Sequence, residues 1–355
     1  MSKYIWQQKG WPYLTWNNRE LSYVLGEVRN RQGRLAGKTS LLGSDLKKEA
    51  LLKMLTFDIL KSNELEGRLL DESLVRSSLA RQLKIDSAGK HCADAATDRL
   101  VATTLATLQG YRQPVTEEAI FNWRAAFGWG NYPLPDCYRN ASILEPVGNN
   151  NGLLYIQDSS IIPDEMRRFL KWLNTIHPTD PVIKAGVAHL RFTFIHPFNE
   201  GNGQIARMLT DIFLTRADGF PLHLYSLSQQ IMKQKDTYEY VLRRAQNGNL
   251  DITEWLMWFL YCLETALIEA ENSLTHTLEK SRFWEKYRLI RLNDRQVRMI
   301  NMLWESNECK LTSSYWANIN LCSPDTALRD IQDLIDKKIL HRKDSGGRST
   351  CYALN

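Results

Sequence analysis

Apolar residues recur along most of this chain at the three- and four-residue spacing of amphipathic helices. Leu21, Val24, Leu25 and Val28 predict a first helix. Ser44-Asp45 reads as the N-cap of a second, Leu46 to Leu60, with Leu51, Leu55, Ile59 and Ser62 on one stripe. Asp71 opens a third through Leu74, Val75 and Leu79, and helical patterns follow over 95–108 and 117–127. Pro163 starts the helix of Met166, Phe169, Leu170 and Leu173. Val182 to Ile195 is strongly apolar, which predicts a mostly buried helix. Further core helices are expected at 209–215 and 252–267, with a charged connecting helix over 270–290. One hairpin interrupts this pattern: Ser142-Ile143-Leu144 and Leu153-Leu154-Tyr155-Ile156 flank Asn149-Asn150-Asn151-Gly152.

Two ends of the chain depart from the helical period. Trp6, Trp11 and Trp16, with Pro12 and Tyr13, predict an irregular leader packed on a helix. From Asp294 the pattern gives three short helices and a small hairpin. Val297, Ile300 and Leu303 mark the first helix, and Leu311-Thr312-Ser313 opens the second. Ser323-Pro324 caps the third, with Ala327, Leu328, Ile331, Leu334 and Ile335 on its apolar face. Gly346-Gly347 turns the hairpin into Thr350–Leu354. The fold class expected is mainly α.

Composition changes this picture little. The 355 residues, 43% hydrophobic and 24% charged, suffice for two or three domains. No run of eighteen apolar residues predicts a membrane span, and Met1 to Trp11 lacks a signal peptide's apolar core, so a cytoplasmic protein is expected. Cys92, Cys137, Cys262, Cys309, Cys322 and Cys351 form no CxxC pair, so reduced thiols are expected. A net charge of +5 is too small to single out a nucleic acid as partner.

The candidate chemistry is concentrated in His196-Pro197-Phe198-Asn199-Glu200-Gly201-Asn202-Gly203-Gln204-Ile205-Ala206-Arg207. Pro197 ends the preceding helix at His196. Gly201 and Gly203 allow a tight turn into the next helix, whose free N–H groups and dipole suit phosphate. Glu200 could hold Mg²⁺ beside phosphate oxygens, and Arg207 could clamp a second phosphate. A neutral His196 could take a proton from an incoming hydroxyl. Together these residues point to phosphoryl or nucleotidyl transfer. A purely structural helix–loop–helix is the alternative that spacing alone leaves open.

This stretch resembles the Fic family motif, HPFx[DE]GNGRxxR, departing from it only at Gln204, where the family usually has arginine. The resemblance implies a Fic-type helical core and transfer of AMP from ATP, with Mg²⁺, to a Ser, Thr or Tyr hydroxyl of a protein, itself included. His196 would be the general base, Glu200 the metal ligand, and Asn202 with the amides of Gly201 and Gly203 the α-phosphate cradle. Arg207 would hold the terminal phosphate. A neutral amide at Gln204 gives no charge-assisted bond, so weaker donor binding or another donor is implied. Removal of AMP is a further implied activity.

Other segments fit the same likeness. Ser62-Asn63-Glu64-Leu65-Glu66-Gly67 matches the family's inhibitory motif, [ST]xxxE[GN], and implies that Glu66 pairs with Arg207 and withholds it from ATP. A solvated carboxylate before a helix-ending glycine is the plain alternative. The hairpin, with Leu153, Leu154 and Tyr155, resembles the family's flap, which pairs with an extended target segment. An ordinary surface hairpin reads equally well. Tyr238 and Gln246 fall where the family's adenine-side helix lies, and would stack on and hydrogen-bond the base. The Trp-rich leader resembles a domain found ahead of such cores, and the tail looks like a winged helix. Arg329, Lys337, Lys338, Arg342, Lys343 and Arg348 offer that tail a basic face for DNA, diluted by Asp325, Asp330, Asp333, Asp336 and Asp344. A protein-contact or dimerising module is the other reading, and a DNA-binding regulator with a nucleotide-sensing Fic domain is the rival function. Domains are expected at 1–90, 91–280 and 281–355, and a homodimer accords with the family.

Overall fold

The computed structural model describes residues 4–85, 94–128, 137–140, 144–147, 152–155, 158–220, 224–305, 311–343 and 350–355. It divides into two compact units, residues 1–275 and 276–355. Both are built mainly from helices.

In the first unit, α1 (Asn18–Ser40) starts at Asn17, whose side chain accepts from the N–H groups of Arg19 and Glu20. The next helix, α2 (Ser44–Leu65), is longer than its apolar pattern predicts and is capped by Gly43 rather than by Ser44-Asp45. Its buried stripe is Leu52, Leu55, Thr56, Ile59, Ser62 and Asn63, one residue round from the expected Leu51. Two polar residues that the apolar pattern left out, Thr56 and Asn63, face inward because their side chains are satisfied within the helix. Thr56 Oγ1 donates to Leu52 O at 2.7 Å, and Asn63 Nδ2 donates to Ile59 O at 2.8 Å.

The helices α3 (Glu72–Gln82), α4 (Ala95–Gln109) and α5 (Glu117–Ala126) each begin at a side-chain cap: Asp71, Asp94 and Thr116. Strands β1 (Leu144–Val147) and β2 (Gly152–Tyr155) pair antiparallel, Leu144 opposite Tyr155 and Val147 opposite Gly152. The expected hairpin strands are therefore present, while Ser142, Ile143, the Asn149–Asn151 loop and Ile156 lie outside the described residues.

The centre of the unit is α7 (Pro181–Ile195), which packs along α8 (Asn202–Asp218) and beside α6 (Ile162–Asn174). All its residues from Val182 to Ile195 are buried except the half-buried Thr193, which is why its sequence lacks a polar face. Two short or medium helices and one long one complete the set: α9 (Leu227–Lys233), α10 (Lys235–Gln246) and α11 (Thr253–Lys286), the last a single helix across the two predicted segments. The leader is irregular, as expected. It is tied to the 248–252 turn by Thr15 N→Leu250 O and Ile252 N→Thr15 O, both 2.8 Å, and to α6 by Trp11 Nε1→Glu165 Oε2 at 2.9 Å.

A buried histidine on α7 sets an acid limit to this unit. His189 Nδ1 lies 2.9 Å from Thr210 Oγ1 and Nε2 2.9 Å from the Tyr238 hydroxyl. Burial, with Arg207's charge as a lesser cause, pushes its pKa down to about 3. The unfolded chain, with an ordinary value of about 6.5, therefore binds this proton more readily. Stability from the neutral ring is complete above pH 6.5 and falls as pH drops towards the folded value. Chemical denaturation should thus show the parent losing about 3 kcal/mol relative to a His189→Gln protein between pH 6.5 and 4.

In the second unit, α12 (Asp294–Glu305), α13 (Ser313–Ile319) and α14 (Pro324–Asp336) precede β3 (Leu340–Lys343) and β4 (Cys351–Leu354). The strands pair antiparallel, and Leu311 bridges Tyr352. That is the element order of a winged helix. Ser323 caps α14 with Pro324 in its first turn, as predicted. The apolar face needs one correction: Ala327, Ile331 and Leu334 are buried, but Leu328 is exposed. No helix among the described residues is long and apolar enough to cross a membrane.

Candidate active site

The motif lies at the junction of α7 and α8. His196 ends α7 in a left-handed conformation, φ 49°, ψ 61°, because Pro197 forbids another helical residue before it. Its own N–H still closes the helix on Phe192 O at 3.0 Å. Arg139, which sequence reasoning missed, clasps the turn from outside. Its Nε donates to His196 O at 2.7 Å and its N–H to Pro197 O at 2.9 Å. A buried arginine that holds a turn through its backbone carbonyls fits no sequence motif.

Asn202 folds the loop from inside. Its Oδ1 accepts from Phe198 N at 3.0 Å and its Nδ2 donates to Phe198 O at 2.7 Å. The carboxamide expected to face a phosphate is thus occupied with the loop backbone. Phe198 is buried against Phe121 and Tyr138, with the Arg124 guanidinium 5.1 Å from its ring centre. Such packing holds the loop in one shape. Asn199 and Glu200 stand exposed at its tip.

Gly201, at φ 84°, turns the chain into α8, and no side chain caps the helix there. The first-turn N–H groups are therefore available to an anion at the positive end of the helix dipole. Glu200 is the one carboxylate in the loop, and no cluster of three metal-ligating side chains is gathered among the described residues. One exposed carboxylate suits Mg²⁺ that brings its remaining oxygens from phosphate and water.

Arg207 is 4% exposed and is held from α2. Its Nε donates to Ser62 Oγ at 2.9 Å, and its Nη2 donates to Ser62 O at 2.6 Å and to Glu66 Oε1 at 2.8 Å. Glu66 caps the C-terminus of α2, and Gly67 follows at φ 77°. Buried Asp58 and Asp211 also lie within reach of the Arg207 charge, which opposes the upward push of burial on both carboxyl groups. Ser226 Oγ donates to Asp58 at 2.5 Å and ties α2 to the start of α9.

Gly203 gives Glu66 and Arg207 room for this approach. A Cβ there would stand 2.3 Å from Glu66 Oε1 and 3.1 Å from Arg207 Nη1. Gly203→Ala should therefore cost about 1–3 kcal/mol in thermal unfolding. In a Glu66→Gly background most of that cost should vanish, since the clashing carboxylate is gone.

The remaining predicted residues divide. Tyr238 is brought close enough for the charges of Arg207 and Glu66 to act on its hydroxyl. Its ring packs on Trp255 and Trp258 and edge-on to His189, so it is fixed in a cluster of aromatics. Gln246 is 1% exposed at the end of α10. Gln204 is buried and borders a cavity of about 20 Å³ with Asp58, Ser62 and Asp211, so it is turned towards α2. Leu153, Leu154 and Tyr155 lie on β2.

With this geometry in view, the comparisons with known proteins can be set beside it. Residues 122–214 match the Fic/DOC family, and residues 4–85 match a domain of unknown function, DUF4172. The family likeness is thus confined to these two segments, the motif lying inside the first. The chain is 33% identical over 118 residues to the protein adenylyltransferase Fic of Drosophila ananassae. It is 35% identical over 104 residues to that of Drosophila melanogaster. These matches cover 32% and 29% of this chain, and the chain spans only about a fifth of those relatives, 22% and 20%. The fold is similar to a Fic family protein from Desulfovibrio desulfuricans G20, with TM-score 0.57, 17% identity, and 97% and 98% of the two chains covered. A Fic domain containing signaling protein from Bacteroides thetaiotaomicron aligns with TM-score 0.51 and 19% identity over 71% of this chain and 97% of that one.

Proposed function

We propose that this protein transfers AMP from ATP to a serine, threonine or tyrosine hydroxyl of a protein, itself included, and that Glu66 holds the reaction off. The observation that carries this reading is the capture of Arg207, the arginine of the motif, by Ser62 and Glu66. A carboxylate–arginine bond competes directly with an arginine–phosphate bond, since both use the same guanidinium edge.

In the transfer, the target hydroxyl oxygen bonds to the α-phosphorus while its proton passes to His196. The bond from that phosphorus to the bridging oxygen breaks, and pyrophosphate leaves. Glu200 would hold Mg²⁺, which neutralises charge on the phosphates. The first-turn N–H groups of α8 would stabilise the α-phosphate, and Arg207, once released, the terminal one. Strand β2 is the candidate edge for an extended target segment. Removal of AMP is the second reading, favoured by Glu66 standing beside Gly203 at the mouth of the loop, where a carboxylate could orient water.

For the second unit, exposed Arg329, Lys338, Arg342 and Lys343 support DNA contact, while Lys337 is held by Asp333 at 2.5 Å. Arg348 and Asp344 lie outside the described residues. We give this module an accessory role, because the motif residues lie in the other unit.

Mass spectrometry of the Glu66→Gly protein after incubation with Mg-ATP tests the proposal. An AMP adduct on hydroxyl side chains is expected. A phosphate adduct would assign the related phosphoryl transfer instead, and an unmodified protein with nucleotide bound would leave removal of AMP as the better reading.

A further inference from the structure

A second pocket lies between the leader and helices α6 and α7. It encloses about 560 Å³, the size of a small-molecule site. Trp11, Tyr13, Trp16 and Trp172 form its walls, with Arg191 from α7 and His177 beside them. None of the motif or inhibitory residues lines it.

Arg191 is the feature that needs explaining. It is 2% exposed, and its Nε and Nη2 have no hydrogen-bond partner among the described residues. Nine in ten or more of such buried polar groups are satisfied in native proteins, and an unpaired guanidinium is among the costliest exceptions. What holds it is aromatic: its centre lies 4.7 Å from the Trp172 ring and 5.3 Å from Phe169. Burial lowers its pKa only to about 10, so it stays charged at neutral pH. The nearby carboxylate, Glu165, is already engaged. One oxygen accepts from Trp11 Nε1 at 2.9 Å and the other from Arg168 Nη1 at 3.2 Å. Lys184, 5.4 Å over the same Trp172 ring, adds positive charge and donates to Thr175 O.

We propose that this pocket binds a small monocarboxylate carried on an aromatic body. The Nε–Nη2 edge of a guanidinium matches a carboxylate bidentately, and four aromatic side chains suit a flat apolar partner. A dianion fits less well, because Glu165 stands close by. Solvent does not reach Nε or Nη2, so side chains lining the pocket must shift as the carboxylate seats. Tyr13, one of them, is 81% exposed and so has room to turn.

The test is ¹⁹F NMR titration of the full chain with 4-fluorophenylacetate. Saturable binding is expected, with 4-fluorophenylacetamide and inorganic phosphate each at least about tenfold weaker. Arg191→Gln should weaken the acid at least about tenfold, and His196→Asn should leave it unchanged. If Arg191→Gln fails to fold, Trp16→Ala, which keeps the arginine, should also weaken binding. Absence of saturable binding, equal binding of acid and amide, or loss of binding with His196→Asn would each overturn the proposal.

Discussion

Glu66→Gly should raise incorporation of AMP into protein by between roughly tenfold and a hundredfold, the span of one charge-assisted hydrogen bond returned to the substrate. In the resting arrangement that bond runs from Arg207 Nη2 to Glu66 Oε1 at 2.8 Å. Both partners are largely buried, with 4% and 18% of their side chains exposed, so the pair is weakly screened. Removing the carboxylate does not strand the arginine, because Ser62 still accepts twice and Asp58 and Asp211 remain within range of its charge. Folding should therefore survive with a loss of about 1–3 kcal/mol. Glycine is tolerated at the end of α2, where the helix already gives way to Gly67. The readout is radiolabel on protein after equal incubation with α-labelled ATP. Equal label in the two proteins would remove the brake from the account.

In that released background, loss of the His196 imidazole should lower incorporation by about 10²–10⁴, the usual contribution of a positioned base. The informative substitution is His196→Asn. The backbone at 196 has φ 49°, a conformation asparagine tolerates better than alanine. The turn is also held by bonds that no side chain at 196 supplies, from Arg139 Nε and from the Asn202–Phe198 pair. A large loss with His196→Asn would then report the missing base and not a displaced loop. Activity within a few-fold of the released parent would exclude His196 as the proton acceptor.

Much of the fold was legible because helices announce themselves by period. The apolar run before His196 predicts a buried helix, and α7 is one. Asp71 and Ser323 predict caps and are caps. The failures are also physical. The inward face of α2 was read correctly at Leu55, Ile59 and Ser62 but placed Leu51 where Leu52 is buried, and it left out Thr56 and Asn63, because periodicity counts mainly apolar residues. Leu328 was placed inside by its spacing yet is exposed, since the pattern cannot say which neighbours a helix meets.

The site was legible in its motif and opaque in its supports. Twelve consecutive residues from His196 to Arg207 showed the candidate chemistry, and the Glu66 segment needed a family likeness before it carried meaning. Arg139 and Asp58 are distant in sequence, Asp211 lies one turn beyond Arg207, and none of the three fits a motif. Position 204 shows the limit best. Reading the chain put its side chain beside a triphosphate, whereas the fold turns Gln204 towards Asp58 and Ser62 under α2.

The central claim is that AMP transfer is present and withheld by one carboxylate. Its most direct test is incubation of three proteins with α-labelled ATP and Mg²⁺: the parent, Glu66→Gly, and Glu66→Gly with His196→Asn. Weak label on the parent, strong label on the single variant and almost none on the double variant is the predicted result. Strong label on the parent, or label on the double variant equal to the single, would contradict it.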